Sequence, residues 1–290
     1  MLTQNTIALV YDFDGTLSPQ PMQEYTLLPK LGITPDEFWG RVDRESAETI
    51  SEKMLVYMRL VLELAAERKV NISRKDFLEM APDIKYFPGV EQWFERINRY
   101  VSLRSKQQVQ VLHYVISAGM REILDGVSIR PYFKQIYASE YHFNQHGVAT
   151  FPKVLITDTS KTQYLFRVNK GKEALTESIN EHMPEDLRPI PFHNMIYIGD
   201  GMTDVPSMAL TKKNGGHTIA VYSNTGRHGK EVCVDLLRAK RVDFIAPADY
   251  QEGSELSRRT QLLLDAVISG IAFRNEAALC LQENGLSDHG

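Results

Sequence analysis

The chain has 290 residues, 43% hydrophobic and 24% charged, with 33 basic against 37 acidic side chains and a formal net charge of −4. That length suits one large domain or a core carrying a smaller one, and the near balance of charge excludes a general polyanion-binding surface, so no nucleic-acid partner is expected. Cys233 and Cys280 form no metal-type pair, and Met1-Leu2-Thr3-Gln4-Asn5 carries no charged or apolar leader pattern. No apolar stretch approaches the roughly 18 residues of a membrane span, so the expectation is a cytoplasmic protein without a membrane partner.

Residues 6–12 read as the first strand, built on the apolar run Ile7-Ala8-Leu9-Val10-Tyr11. The breaker segment Ser18-Pro19-Gln20-Pro21 opens a different texture. Thr34 before Pro35 marks a helix start with its N-cap. Over 50–69, Met54, Leu55, Met58, Val61, Leu62 and Ala65 recur at helical spacing, and Ser73 precedes another capped helix. Residues 18–85 are therefore predicted to form an all-helical insertion, after which Tyr86-Phe87-Pro88-Gly89-Val90 returns the chain to its core.

Further on, the pattern predicts a helix over 91–103, a strand over 109–117 and a helix over 120–127. Extended stretches at 135–143 and 147–156, with Gly147 at the turn, predict a hairpin. A short helix over 161–166, a longer one over 170–182, a strand over 195–200 and a helix over 205–212 follow. The series ends with a strand over 217–222, a helix over 229–239, a strand over 242–246 and a largely helical stretch from 254 to about 281. Such alternation predicts an α/β fold with a doubly wound parallel sheet covered on both faces. The domain expectation is a core of 1–17 and 86–290, with 18–85 as a helical cap inserted after the first strand.

The chemistry concentrates where strands end. Asp12-Phe13-Asp14-Gly15-Thr16 follows the first strand directly. A carboxylate and a main-chain carbonyl at one sheet edge suit a hard cation and a phosphate; an acidic turn is the plainer alternative. Ser117-Ala118-Gly119 ends the strand over 109–117, where a hydroxyl and backbone N–H groups can cradle an anion. An ordinary N-cap would equally account for Ser117. Lys170-Gly171 opens the predicted helix over 170–182, and Gly199-Asp200-Gly201 with Asp204 follows the strand over 195–200. Asp204 could also be a plain helix N-terminal acid. His142 and His146 are spaced like a helical metal pair, but they fall in a strand-turn context, which favours a structural role.

These four segments, in this order and over roughly residues 6–250, resemble the motifs of the haloacid dehalogenase superfamily of aspartate-nucleophile phosphatases and mutases. The resemblance implies a Rossmann-like core and assigns roles. Asp12 would be the nucleophile that forms an aspartyl-phosphate, and Asp14 the acid and base acting on leaving group and water. Dehalogenase members lack the second aspartate, so Asp14 points to phosphoryl transfer. Ser117, Ala118, Gly119 and Lys170 would bind the phosphate, with Lys172 as the competing lysine and Lys161 in the same window. Mg²⁺ would be held by Asp12, the Asp14 carbonyl and Asp200, with Asp204 as an outer ligand or an orienting carboxylate.

The helical insertion resembles the cap of phosphoserine-phosphatase-like members, which implies a small phosphorylated metabolite as substrate. The glutamate those members use for the substrate amine has its nearest counterpart in Glu24, a few residues late, which weakens a phosphoserine assignment. Glu24 and Arg59 are the cap's candidate specificity residues. A phosphomutase and a non-catalytic phosphate-binding module are the alternatives. For the helices beyond residue 254, burial against the core and contact within a homodimer both stay open.

Overall fold

A computed structural model describes residues 4–224 and 227–285, so Met1-Leu2-Thr3, on which the reading of the leader partly rests, lie outside the described residues. Seven strands form one sheet: β1 (Thr6–Tyr11), β2 (Gln110–Met120), β3 (Phe133–Phe143), β4 (Ala149–Val154), β5 (Met195–Gly199), β6 (His217–Tyr222) and β7 (Phe244–Pro247), in the order β4-β3-β2-β1-β5-β6-β7. All neighbours pair in parallel except β3 and β4, the predicted hairpin, which are antiparallel.

The apolar run of β1 is explained by its central place. Ile7, Leu9 and Tyr11 join one hydrophobic layer, whereas Ala8 and Val10 join the other. A strand with both faces covered has no polar side to show. The chain leaves β1 for β2 on one side and later adds β5 on the other, so the strand order reverses between β1 and β5. Open α/β sheets bind ligands at such a switch point, beyond the carboxyl ends of the strands.

The stretch after β1 is helical: α1 (Met22–Tyr25), α2 (Leu27–Leu31), α3 (Pro35–Thr49), α4 (Lys53–Glu67) and α5 (Arg74–Met80). Thr34 and Ser73 each close a capping box, with Glu37 and Asp76 as the reciprocal acids. α4 buries Val56, Tyr57, Leu60, Val61 and Leu64, the seam expected of a helix lying on a core. The hairpin, which had no evident purpose in the sequence, meets these helices. Tyr141 of β3 donates its hydroxyl to the Met58 carbonyl at 2.8 Å, and the Ala149 N–H of β4 donates to the Ile72 carbonyl at 3.1 Å.

The remaining helices are α6 (Val90–Arg104), α7 (Arg121–Leu124), α8 (Lys161–Lys170), α9 (Val205–Lys213), α10 (Arg227–Arg238) and α11 (Glu255–Glu283). Leu256, Leu263, Leu264, Val267 and Ile271 of α11 are buried with the layer that holds Trp93, Phe94 and Ile97 of α6, so this part of the C-terminal helix packs on the core. Two helical expectations are corrected. The helix over 120–127 is only α7, because β2 runs on to Met120, which pairs with Ser139. No helix covers 170–182. Gly171, at φ +64°, instead closes α8 from its C-terminal end, its N–H reaching the carbonyls of Arg167 and Val168. The chain then wraps around the Arg167 guanidinium, which donates to the carbonyls of Lys172, Ala174 and Glu177.

Candidate active site

Asp12 directly follows β1, with its N–H bonded to the Ile198 carbonyl of β5 at 3.0 Å. The β5 exit carries Asp200, and the short turn Met202–Asp204 brings Asp204 back beneath it. Asp12, Asp200 and Asp204 each offer a carboxylate oxygen within 4.8 Å of the others. The chain turns tightly at Gly15, three residues after Asp12, against Asp200. Gly15 has φ +79°, and a Cβ on it would lie 2.1 Å from Asp200 Oδ2. Glycine is needed there both for the backbone conformation and for the room.

The cation of the site is Lys161, at the first turn of α8. Its side chain is 1% exposed, with Nζ 3.1 Å from Asp12 Oδ1 and 2.7 Å from Asp204 Oδ1. Burial disfavours the ammonium, but the two carboxylates outweigh it and raise its proton affinity above that of a free lysine. Lys170, the expected phosphate lysine, is not brought to this cluster. Lys170 ends α8, and its Nζ donates to the carbonyls of Ile179 and Glu181 at 2.6 and 2.7 Å. Lys172 is taken by Glu181 at 2.6 Å. The Lys-Gly pair that suggested Lys170 is a helix stop, and the start of the same helix, Thr159-Ser160-Lys161, carries the buried lysine.

Asp204 serves two partners beside the cluster. Its Oδ1 also accepts from the Tyr197 hydroxyl at 2.6 Å, and its Oδ2 accepts the Asp200 N–H at 3.2 Å. It stands at the N-cap position of α9 without a side-chain capping bond, its carboxylate taken up instead by Lys161, Tyr197 and the Asp200 N–H. Ser117 is 1% exposed and lies inside β2, its Oγ accepting the Gly119 N–H at 3.0 Å. It is not an N-cap, since Met120 holds that position before α7. Ser139 fixes the loop from the far side, donating to the Ala118 carbonyl at 3.1 Å.

Asp14 stands apart from the three clustered carboxylates. Its Oδ1 accepts the Met22 N–H at 2.9 Å. Its Oδ2 faces the motif around Ser117, since a Cβ on Gly119 would lie 3.2 Å from it and 2.1 Å from Met22 Cε. Burial, and then the charge of Asp12, push the Asp14 carboxyl up to about 8. Burial also pushes Asp12 up to about 7, against the pull of Lys161. Asp200 is held well above the usual carboxylate range by burial and by Asp12 and Asp204. Glu24 and Arg59 are otherwise engaged: Glu24 accepts from Trp39 Nε1 at 2.9 Å, and Arg59 is gripped by Glu45 and Glu63.

The donor set fits a divalent cation. Three carboxylates crowd around a single buried ammonium, and their repulsion is what an added positive charge would relieve. All the ligands offered are oxygens, the choice of hard ions such as Mg²⁺.

An α/β sheet with an aspartate at its switch point, a second aspartate beside it and a buried lysine-carboxylate cluster defines an aspartate-centred hydrolase. The haloacid dehalogenase-like hydrolase family model matches residues 9–209, and the chain belongs to that family. An uncharacterized protein of Borreliella burgdorferi is 26% identical over 277 residues, covering 87% of this chain and 94% of that one. A phospho-aspartyl intermediate analogue of phosphoserine phosphatase superposes with a TM-score of 0.55 at 14% identity, covering 89% of this chain and 99% of that one. A HAD family hydrolase from Salmonella enterica subsp. enterica serovar Typhi gives a TM-score of 0.57 at 14% identity, covering 90% and 72%. At these identities the solved structures share the fold.

Proposed function

We propose that this hydrolase cleaves a small phosphorylated metabolite, that Mg²⁺ is its metal, and that Asp12, Asp14, Lys161, Ser117 and Asp200 carry the reaction. Hydrolysis of a phosphomonoester through an aspartyl-phosphate is the reaction for which the aspartate set and the family speak. The observation that carries the reading is Lys161, buried between Asp12 and Asp204.

An Asp12 oxygen attacks phosphorus and the bond to the leaving oxygen breaks. Asp14 gives that oxygen its proton, and Oδ2 is the suitable atom because Oδ1 is held by the Met22 N–H. Water then attacks the same phosphorus, Asp14 takes a proton from it, and Asp12 is released. Lys161 offsets the negative charge that Asp12 and the phosphoryl group bring together. The Ser117 hydroxyl and the N–H groups after it are the proposed phosphate contacts. Asp12, Asp200 and the Asp14 carbonyl would hold Mg²⁺, with Asp204 outside them; when bound, it supplies positive charge where anions meet.

The contact of Met22, first residue of α1, with Asp14 and Gly119 supports reading the helices of 18–85 as a cap domain that limits access to small substrates. Among the described residues no helix is long and apolar enough to cross a membrane, and both cysteines are free. A reducing, cytoplasmic setting agrees with those thiols. Pairing of two copies through the outer end of α11, where Phe273 and Leu279 are exposed, belongs to the same proposal; sedimentation of a single chain would remove it.

The test is release of phosphate from p-nitrophenyl phosphate. Activity is expected with Mg²⁺, with loss on chelation, and Asp12→Asn should abolish both turnover and covalent labelling by phosphate. Undiminished turnover in excess chelator, or in Asp12→Asn, would sink the reading.

A further inference from the structure

The first turn of the cap meets the phosphate loop through one side chain. Met22 is fully buried, its Sδ accepts the Met120 N–H at 3.2 Å, and its own N–H holds Asp14. Met22 and Met120 therefore meet beside the acid, and Tyr57, which holds Gln23, feels the charges of both Asp14 and Glu122. The segment of each methionine adds one buried polar side chain to this junction, Gln23 at 3% exposure and Glu122 at 1%. Both are pinned at one end. Gln23 Nε2 donates to the Tyr57 hydroxyl at 2.7 Å, and Glu122 Oε1 accepts the Tyr141 N–H at 2.8 Å.

The other end of each is an oxygen without a hydrogen-bond partner, Gln23 Oε1 and Glu122 Oε2. Buried acceptors are nearly always bonded in native proteins, so two unpaired ones at one junction call for donors. The nearby arginines do not supply them. Arg121 is bound to Asp125 and to the Ile136 carbonyl, and Arg74 lies over the Phe143 ring at 4.5 Å.

We propose that Gln23 and Glu122 line the leaving-group end of the substrate site and select small alcohols that bring hydrogen-bond donors of their own. This rests on the phosphatase reading above. A leaving group bound between Asp14 and the cap's first turn would displace the Met22 thioether, and in this proposal its far end lies toward the residues that flank Met22 and Met120. A site built to accept hydrogen bonds rejects an analogue that lacks them, because its buried acceptors are left unpaired.

Three phosphate esters of matched length test this on the wild-type protein with Mg²⁺: hydroxyethyl, aminoethyl and propyl phosphate. At least one polar ester should exceed propyl phosphate about tenfold or more in kcat/KM, and the better of the two tells hydroxyl from ammonium. Gln23→Met removes an acceptor at nearly constant volume, and Glu122→Gln can put a donor where the open acceptor was. Both should lower the polar-to-propyl ratio about tenfold, whereas Gln23→Glu, which keeps an acceptor, should retain it. Propyl phosphate matching both polar esters overturns the proposal without need of any variant. An unchanged ratio in folded Gln23→Met and Glu122→Gln overturns it as well, and means that trapped water satisfies these oxygens. Failure of the phosphatase reading looks different: no ester, p-nitrophenyl phosphate included, is then hydrolysed.

Discussion

Exchanging Lys161 for alanine takes away an ammonium held between two buried carboxylates. Removing one partner of a buried ion pair typically costs about 3–5 kcal/mol, so Lys161→Ala is expected to melt well below the parent protein and to lose at least about a thousandfold in kcat. Added Mg²⁺ should recover part of the stability and little of the rate. Lys170→Ala, at the far end of the same helix, should stay within about twofold of the parent in kcat/KM. Equal losses in the two variants would refute the placement of the phosphate lysine. The pair also shows what sequence could and could not yield. The aspartates were legible because each motif is local, a strand end followed by glycine. Lys161 was not, because nothing local distinguishes a lysine aimed into a sheet edge from one on a solvated helix turn.

The same residues predict a dependence on pH in protein stripped of metal. Burial pushes the carboxyls of Asp12 and Asp14 up to about 7 and about 8, far above the value near 3.9 of an unfolded chain. Between those limits the folded chain holds more protons than the unfolded one, so stability falls as pH rises. Glu122, pushed up to about 7 by burial, acts in the same direction. Buried His113 acts oppositely, its affinity lowered to about 3, but its effect is complete once the unfolded histidine has titrated. Chelator-treated protein should therefore melt several degrees lower at about pH 8.5 than at about pH 7, and Mg²⁺ should raise the melting point more at the higher pH. A melting point that holds or rises across that interval in chelator contradicts the assignment.

At the scale of elements, the hairpin β3–β4 and the helices of 18–85 depend on each other. The sequence announced both, through alternation on one side and capping boxes on the other. Their contact is tertiary, and no residue pattern advertised it. Tyr141→Phe removes the hydroxyl that donates to the Met58 carbonyl. A loss of about 1 kcal/mol in stability is expected, with amide exchange accelerated in α3 and α4 more than in α8. Uniform acceleration over the whole chain would mean that the hairpin does not brace the helices of 18–85. The misjudged helix over 170–182 teaches a related lesson: Arg167 and Lys170 satisfy carbonyls there that a helix would have satisfied itself.

At the scale of the whole molecule, α11 divides into two parts. Its buried residues run from Leu256 to Ile271, and Arg274 and Asn275 still tie it to Asn194 and Asn5. Beyond that point none of its described residues is buried. Ending the chain after Asn275 should leave the melting point within about 2 °C, whereas ending it before Glu255 uncovers an apolar layer and should give aggregated protein. Aggregation of the shorter deletion too would indicate that the outer turns have a covering role.

The reversal of strand order between β1 and β5 has a bearing on how the chain is made. Asp12 leaves the ribosome early, but Asp200 arrives only after the helices of 18–85, β2, the hairpin and α8 have been synthesised. Until β5 docks beside β1, the carboxylate cluster does not exist. A nascent or partly folded chain therefore offers no preformed three-carboxylate seat for a metal, which cannot guide its early folding. Pairing over so long a stretch of sequence is slow, and the strand edge that β5 will cover stays open in the meantime. Exposed edges of that kind invite association with other chains, so β1 is open to such pairing until β5 covers it.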